Sequence, residues 1–228
     1  SQVPSHRSAL DNSAVAVVIP VKAFHQAKER LSDLLTPAER IVLAKYCADR
    51  VINSARNFDI FVVCDDPDVA QWARDHKTKI VWQPEIGLNA AVREGVKFAA
   101  AQNKQLAIVS HSDLPLATEF EHLINDQSAE TLLSSVTLVP DRHEDGTNVM
   151  VVPTNFDFEF SYGKNSFAAH QKMATVAASG SAASRPVTKM RTTCRCGRRW
   201  RPRPPRWAPT ARRCPTQSSR WSAKPSRR

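Results

Sequence analysis

The chain has 228 residues, and its 42% of hydrophobic residues are enough for the core of one folded domain. Its net charge of +10 is confined to one end, because residues 174–228 carry 15 basic and no acidic residues, whereas residues 1–173 carry 17 basic and 22 acidic ones. No apolar run approaches the roughly 18 residues of a membrane span, and no pattern of a secretory signal is present. We therefore expect a cytoplasmic protein without a membrane partner.

Residues 1–13 are polar, and we expect them to be disordered. Continuous apolar runs then predict strands that are buried on both faces. These runs are Ala14–Val21, Phe58–Cys64 and Leu106–Val109, and further strands are predicted at Lys79–Trp82, near 132–139 and near 148–152.

Helices are predicted between these strands. Thr36-Pro37-Ala38-Glu39 is a capping box with proline at the first helical position, and it opens a helix to about Arg56. Further helices are predicted through Trp72, after Gly87 and near 118–126. The β-α-β alternation with apolar strands predicts an α/β fold with a mostly parallel sheet covered by helices.

Polar residues follow four of the predicted strands, namely Lys22, Asp65, Gln83 and Asp113. Ligands of open α/β sheets bind beyond the carboxyl ends of the strands. The sequence therefore predicts a binding site at this edge of the sheet.

Two turns that flank the strand near 148–152 are typical of a site for a small anion. In the first, Gly146 frees the backbone, and Thr147 and Asn148 supply short hydrogen-bond donors. In the second, Gly163 allows a close backbone approach, and Ser166 stands where the N-cap of a helix belongs. A helix N-terminus offers free N–H groups to a phosphate or a carboxylate. Two ordinary turns with a capped helix are the alternative.

Lys22, Lys28 and Arg30 follow the first strand, and three cations there suit a triphosphate, since each can offset charge that moves during phosphoryl transfer. Asp113 at a strand end is a candidate Mg²⁺ ligand, and Asp65, Asp66, Asp141 and Asp157 are candidates for a second one. The chain contains no P-loop motif and no G-x-G-x-x-G motif. The isolated His111 and His143 are interpreted as polar loop residues rather than zinc ligands.

Residues 174–228 are rich in Arg, Pro, Ser, Ala and Trp and show no hydrophobic periodicity. This composition is typical of a GC-rich gene read out of frame, so we expect an unstructured or frame-shifted tail. A nucleic-acid-binding arm is the alternative, since cations contact phosphates and indoles stack on bases. Cys194, Cys196 and Cys214 lack the spacing of a zinc site, and Cys47 and Cys64 are interpreted as buried thiols.

Several motifs appear together in one order. They are Ile19-Pro20-Val21-Lys22, Ala27-Lys28-Glu29-Arg30-Leu31, Gly87-Leu88-Asn89-Ala90-Ala91, Ser112-Asp113-Leu114-Pro115, Asp141-Arg142-His143 with Gly146-Thr147-Asn148, and Gly163 with Ser166-Phe167 and His170. Over about residues 14–173 the sequence resembles the 2-phospho-L-lactate/phosphoenolpyruvate guanylyltransferase family of coenzyme F-420 biosynthesis.

The resemblance implies a three-layer fold of the nucleotide-diphospho-sugar transferase, or GT-A-like, type. It also implies transfer of GMP from GTP to phosphoenolpyruvate or 2-phospho-L-lactate, with release of pyrophosphate and with Mg²⁺ as cofactor. By the same resemblance, Thr147, Gly163 and Ser166 hold the acid, and Asn148 belongs to that site. Asp113 binds Mg²⁺. Lys22, Lys28 and Arg30 face the triphosphate, and Gly87, Leu88 and Asn89 line the guanosine pocket.

The chain departs from the family near its C-terminus. The family continues after the Ser-Phe-x-x-His helix with an acidic Asp-x-Asp-Thr-Pro-type segment that helps to bind metal, whereas no residue after Glu159 is acidic here. Domain 14–173 is therefore predicted to be incomplete at its C-terminal end. The alternatives are another nucleotidyltransferase of the same fold and a nucleic-acid-binding protein acting through the tail. The sequence leaves the oligomeric state open, with a homodimer as one option.

Overall fold

Seven strands and five helices make up the part of the chain that the computed structural model describes, residues 9–84, 87–179 and 187–189. The strands are β1 (Val15–Pro20), β2 (Asp59–Cys64), β3 (Lys79–Trp82), β4 (Leu106–Ser110), β5 (Val136–Pro140), β6 (Thr147–Pro153) and β7 (Val187–Lys189). The helices are α1 (Pro37–Ser54), α2 (Pro67–Asp75), α3 (Gly87–Ala101), α4 (Ala129–Ser134) and α5 (Ser166–Ser179).

The strands form one sheet in the order β3-β2-β1-β4-β6-β5-β7. β1 pairs in parallel with both β2 and β4, β3 joins β2 in parallel, and β7 joins β5 in parallel. β6 runs antiparallel to both of its neighbours. The prediction of a mostly parallel sheet is therefore confirmed, with one reversed strand in its second half.

The sheet is buried on both faces, because successive side chains of a strand point to opposite sides. In β1, Val15, Val17 and Ile19 pack with α1 and α2, whereas Ala16 and Val18 pack with α3. These two hydrophobic cores give the three layers that the resemblance implies. They also explain why the strands are continuous apolar runs in the sequence.

α3 packs unusually close to the sheet at Gly95. A Cβ atom at this position would lie 2.5 Å from Val18 Cγ1 and 2.7 Å from Val63 Cγ2. Only glycine allows this approach, which fixes the helix against β1 and β2. The N-terminus of the same helix carries the predicted guanosine segment.

The capping box predicted at the start of α1 is confirmed. Thr36 Oγ1 accepts a hydrogen bond from Glu39 N, and the Glu39 carboxylate accepts one from Thr36 N. The helix ends at Ser54, two residues before the predicted end. Cys47 and Cys64 are buried free thiols, as predicted.

Two predictions in the middle of the chain are wrong. The predicted helix near 118–126 is reduced to a 3-10 turn at Phe120–Leu123. The first three residues of the predicted strand at 132–139 belong instead to α4, which begins after Ser128, whose Oγ accepts a hydrogen bond from Thr131 N. Leu132 packs into the core from this helix. A short apolar run has no period that separates a buried strand from a buried helix.

The described fold extends beyond both predicted boundaries of the domain. Asp11 caps a 3-10 turn at Asn12–Ala14, inside the segment predicted to be disordered. α5 continues to Ser179, and β7 adds to the sheet beside β5. The predicted tail otherwise lies outside the described residues, as do residues 1–8. Within the described ranges, no helix is long and apolar enough to cross a bilayer.

Candidate active site

The carboxyl ends of β1 to β4 surround a cleft of about 560 Å³. Lys22, Asp65, Gln83 and Asp113, the four polar residues that follow these strands, all line it. The prediction that these residues lie together is confirmed. They meet because parallel strands bring their carboxyl ends to the same edge of a sheet.

A second, smaller hollow of about 380 Å³ lies where β2 and β3 begin, at Asp59 and Lys79. Asp59 there is paired with Lys79 and Lys104, and these lysines lower the pKa of its carboxyl group. Ligands of open α/β sheets bind at the other ends of the strands. The cleft is therefore the candidate active site.

Two of the three predicted cations line the cleft. Lys28 Nζ lies 3.1 Å from Asp113 Oδ2, and the lysine side chain is 20% exposed against 60% for the aspartate. Lys28 adopts a left-handed backbone conformation with φ of 58°, which is unusual for a residue with a side chain. Lys22 is exposed at the cleft wall, whereas Arg30 lies on the 3-10 turn Glu29–Leu31, outside the lining.

Of the four aspartates that were candidates for a second metal ligand, only one lines the cleft. Asp65 lines the cleft together with Asp113. Asp66 caps α2, and Asp141 accepts hydrogen bonds from three backbone N–H groups of its own turn. Asp157 is exposed and does not line the cleft. Among the described residues, no three His, Cys, Asp or Glu side chains cluster in a way that could hold a metal ion.

The predicted guanosine segment lies at the N-terminus of α3. Gly87, with φ of 68°, begins the helix, and both Gly87 and Leu88 line the cleft. Asn89 has a different contact, since its Oδ1 accepts a hydrogen bond of 2.7 Å from Tyr162 N. This residue therefore joins the cleft to the turn that carries Gly163.

The two predicted anion-binding turns also meet in the structure. Asp145 Oδ1 accepts a hydrogen bond from Asn165 N, and the Asp145 carbonyl accepts one from Phe167 N. Gly163 has φ of 139°, which favours glycine, and is exposed. Its carbonyl accepts a hydrogen bond from Ser166 N.

Thr147 and Ser166 are both buried, and they bond to each other. Thr147 N donates to Ser166 Oγ at 3.1 Å, and Thr147 Oγ1 lies 2.9 Å from His170 Nδ1. The predicted N-cap role of Ser166 is wrong, because α5 begins at Ser166 itself and its Oγ is occupied by a strand N–H group. The N–H groups of Ser166 and Phe167 are bound by the carbonyls of Gly163 and Asp145 instead.

A β-bulge directs Thr147 toward α5. β5 pairs Val139 with Val149 and then Pro140 with Thr147, so Asn148 is the extra residue in β6. Val149 packs with the core of α1 and α2, yet Thr147 contacts Ser166 and His170 of α5. Bulges reorient side chains in this way next to functional sites.

His111 lies in the loop after β4, as predicted, and it connects the cleft to this buried group. It lines the cleft, and its N–H donates to the carbonyl of Asn148, the residue after Thr147, at 3.2 Å. Burial lowers the pKa of His111. The signal that could have identified it is its position directly after β4, beside Asp113.

His170 and Tyr162 complete the site. The Tyr162 ring lies 5.0 Å from the His111 ring and 4.8 Å from the His170 ring, centroid to centroid. Burial, with a smaller contribution from His111, lowers the pKa of His170 to about 4, so His170 is neutral near pH 7. The spacing of four residues from Ser166 to His170, which places both on one face of α5, was the available sequence signal.

The profile of the family described as "Guanylyl transferase CofC like" matches residues 15–179. The chain belongs to this family of guanylyl transferases. The CofC-like chain is therefore a nucleotidyltransferase, and the resemblance inferred from its motifs is confirmed.

Relatives of the CofC-like chain carry matching names. A phosphoenolpyruvate guanylyltransferase of Sphaerobacter thermophilus is 34% identical over 161 residues, which are 69% of this chain and 77% of the relative. A 2-phospho-L-lactate guanylyltransferase of Methanothermobacter thermautotrophicus is 31% identical over 67% of this chain and 68% of the relative.

The fold is shared with a crystal structure from Desulfovibrio desulfuricans that is assigned to the nucleotide-diphospho-sugar transferases. The TM-score is 0.58 at 10% sequence identity, over 78% of this chain and 80% of that one. The predicted fold type is therefore confirmed.

Proposed function

We propose that this CofC-like chain transfers GMP from GTP to a phosphorylated three-carbon acid, phosphoenolpyruvate or 2-phospho-L-lactate, and releases pyrophosphate, as a step of coenzyme F-420 biosynthesis. The observation that carries the proposal is the contact of His111, a residue of the cleft, with Asn148 beside Thr147 and with the ring of Tyr162 beside His170. Two substrates must lie side by side for such a transfer. The names of the relatives supply the two candidate acids.

GTP occupies the cleft in this proposal. Gly87 and Leu88 line the end of the cleft suited to the guanosine, and Asn89 belongs to the same segment. Lys22 and Lys28 are the cations within reach of a triphosphate there. Arg30 lies outside the lining of the cleft, on the turn Glu29–Leu31, and its exposed side chain completes the predicted set of cations in this proposal.

The acceptor phosphate oxygen attacks the α-phosphorus of GTP in line with the leaving group. The bond between the α-phosphorus and its bridging oxygen to the β-phosphorus breaks, and pyrophosphate leaves with that oxygen. Lys22 and Lys28 offset the negative charge that develops on the leaving oxygen. The acceptor phosphate is already ionised near pH 7, so no general base is needed.

The residues present fit a bound Mg²⁺. Asp65 and Asp113 line the same cleft, and Mg²⁺ is commonly bound by one or two carboxylates, with water and phosphate oxygens as its remaining ligands. When bound, the ion supplies positive charge next to the phosphates. The pairing of Asp113 with Lys28 keeps that carboxylate oriented at the cleft.

The acid substrate lies against the two joined turns in this proposal, with Thr147, Asn148, Gly163 and Ser166 as its binding residues. The buried hydroxyls of Thr147 and Ser166 are held by hydrogen bonds, and Gly163 leaves its surroundings open, with no atom within 4 Å of a Cβ built there. Such an arrangement suits an anion because it needs little reorganisation on binding.

The test is incubation of the full chain with Mg²⁺, GTP and either acid, with pyrophosphate release and the mass of the product as readouts. We expect pyrophosphate and a GMP adduct of one acid, and neither product with ATP, CTP or UTP. 3-Phosphoglycerate is the control acceptor, since it carries a carboxylate and a phosphate at a different spacing. Absence of product with both acids from a folded chain would overturn the proposal, and product with another nucleotide would favour a different nucleotidyltransferase.

A cytoplasmic location and a homodimer also stay predictions. α1 exposes Val42 and Tyr46 on its surface, at 68% and 52%, and an interface between two copies would cover such side chains. Sedimentation velocity of the full chain distinguishes a dimer from a monomer.

A further inference from the structure

His170 is a histidine without solvent contact inside the acceptor part of the site. Its exposure is 0%, and it lies one turn after Ser166 on α5. The rings of Tyr162 and Phe158 pack against it at 4.8 and 5.9 Å between centroids. These contacts hold the imidazole in one orientation.

The hydrogen bonds of His170 determine which of its ring nitrogens carries the proton. Ser161 N lies 2.9 Å from Nε2, and a backbone N–H group can only donate. Nε2 is therefore the acceptor and carries no hydrogen. In the neutral imidazole the proton then lies on Nδ1, which donates to Thr147 Oγ1 at 2.9 Å.

This tautomer leaves one donor on Thr147. The backbone N–H of Thr147 donates to Ser166 Oγ, and its Oγ1 accepts from His170 Nδ1. Because Oγ1 accepts a hydrogen bond from Nδ1–H, the hydrogen of the Thr147 hydroxyl must point away from His170. With the opposite tautomer, Thr147 would donate to the imidazole and would have no hydrogen for a ligand.

We propose that His170 is a positioning residue that makes the Thr147 hydroxyl an obligatory donor to the anionic acid substrate. The inference rests on the proposed function, since it names how that site recognises a carboxylate or phosphate. The N–H of Ser161 fixes the tautomer by binding Nε2, and Nδ1–H of His170 then donates to Thr147 Oγ1. The hydroxyl hydrogen of Thr147 is thereby directed toward the substrate. The β-bulge at Asn148 is what brings Thr147 within reach of the imidazole.

A matched pair of substitutions separates the two ring nitrogens. His170→Asn places an amide donor near the position of Nδ1 and loses the bond to Ser161 N. His170→Gln places a polar group near Nε2 and loses the bond to Thr147. The readout is the Kd of phosphoenolpyruvate and of 2-phospho-L-lactate, measured by calorimetry with a GTP analogue whose α–β bridge cannot be cleaved.

We expect His170→Gln to weaken binding of the preferred acid by roughly 10-fold or more, the effect of losing a hydrogen bond to a charged group. His170→Asn should keep most of the affinity, and the Kd of the GTP analogue should not change in either variant. Equal losses in both variants, or a Kd equal to that of the unsubstituted chain in His170→Gln, would overturn the inference.

Thr147 variants keep the inference testable if a His170 variant fails to fold. Thr147→Val should lose affinity as His170→Gln does, and Thr147→Ser should keep it. In the Thr147→Val background, His170→Gln should cause no further loss, because both act through one hydroxyl. Additive losses would indicate a merely structural role and overturn the inference.

Imidazole nitrogen NMR of the full chain measures the tautomer directly. We expect a protonated Nδ1 and an unprotonated Nε2 for His170, and the reverse assignment would overturn the inference. This spectrum and the Kd values do not depend on turnover. If the acid binds as expected but no pyrophosphate is released, the proposed function fails while the inference about His170 stands.

Discussion

The two halves of the candidate site hold their polar groups in different ways. In the cleft, charged side chains such as Lys28 and Asp113 are paired at the surface, and Asp113 is 60% exposed. Around Thr147, neutral groups are buried and joined by hydrogen bonds to Ser166 and His170. Surface ion pairs contribute little to stability, whereas buried polar groups must stay bonded. The cleft can therefore rearrange when a ligand binds, and the Thr147 group is preorganised.

This difference follows from the ligands that the two halves are proposed to bind. A triphosphate with Mg²⁺ brings its own large charges, and Lys28 and Asp113 are paired through only one carboxylate oxygen, Asp113 Oδ2. A small acid makes few contacts, so each donor must already point in the right direction. We therefore expect substitutions in the cleft to reduce turnover strongly, and substitutions around Thr147 to change acid binding and stability.

The largest expected effect is that of Asp113→Asn, which removes the carboxylate from the cleft and leaves Lys28 unpaired. Turnover should fall roughly 100-fold or more, the usual cost of removing a group that stabilises transferring charge. Initial rates of pyrophosphate release measure it. Asp33→Asn, an exposed aspartate outside the cleft lining, is the matched control. Full activity of Asp113→Asn would mean that the cleft acts without this carboxylate.

The next effect concerns the stability of the buried half in acid. The pKa of His170 is lowered from 6.5 to about 4 in the folded chain. The stability that the buried, neutral His170 contributes is therefore fully present above pH 6.5 and is lost as the pH falls from 6.5 to about 4. The unfolded chain binds a proton in this window and the folded chain does not. Each pKa unit corresponds to about 1.4 kcal/mol, so the loss in free energy of unfolding is about 3 kcal/mol.

Urea unfolding at a series of pH values measures this loss. His111 contributes in the same direction, because its pKa is also lowered. The difference between the unsubstituted chain and His170→Gln therefore isolates His170. Identical pH dependence in the two proteins would contradict the assignment of a buried, neutral His170.

The smallest effect is expected from Gly95→Ala on α3. The added methyl group meets Val18 Cγ1 and Val63 Cγ2, and overpacking of this kind costs about 1–3 kcal/mol, reduced by the better helix propensity of alanine. Urea unfolding measures the loss. Because α3 carries Gly87 and Leu88, the KM for GTP should rise more than the KM for the acid.

The control for Gly95→Ala is a double variant with Val18→Ala, which removes one of the two contacts. The double variant should lose less stability than the sum of the single ones, because the two side chains meet directly. Additive losses would show that the close approach of α3 to β1 has little influence on stability.

The layers of the fold and the edge of the sheet where the candidate site lies could both be predicted from patterns in the sequence. Continuous apolar strands require helices on both faces, and the capping box at Thr36 marked the start of α1. Polar residues after successive parallel strands had to meet at one edge, so Asp65 and Asp113 could be assigned to one cleft. These features depend on local pattern and on rules of connection.

Only the tertiary structure decided what surrounds each candidate residue. α4 replaced the first three residues of a predicted strand, since a short apolar run has no distinguishing period. The bulge at Asn148 turned Thr147 toward α5, and one residue of register moves a side chain to the other face of a sheet. Ser166 thereby became the partner of Thr147, and His170 became the residue that orients it. Long-range hydrogen bonds of this kind leave no periodic trace in a sequence.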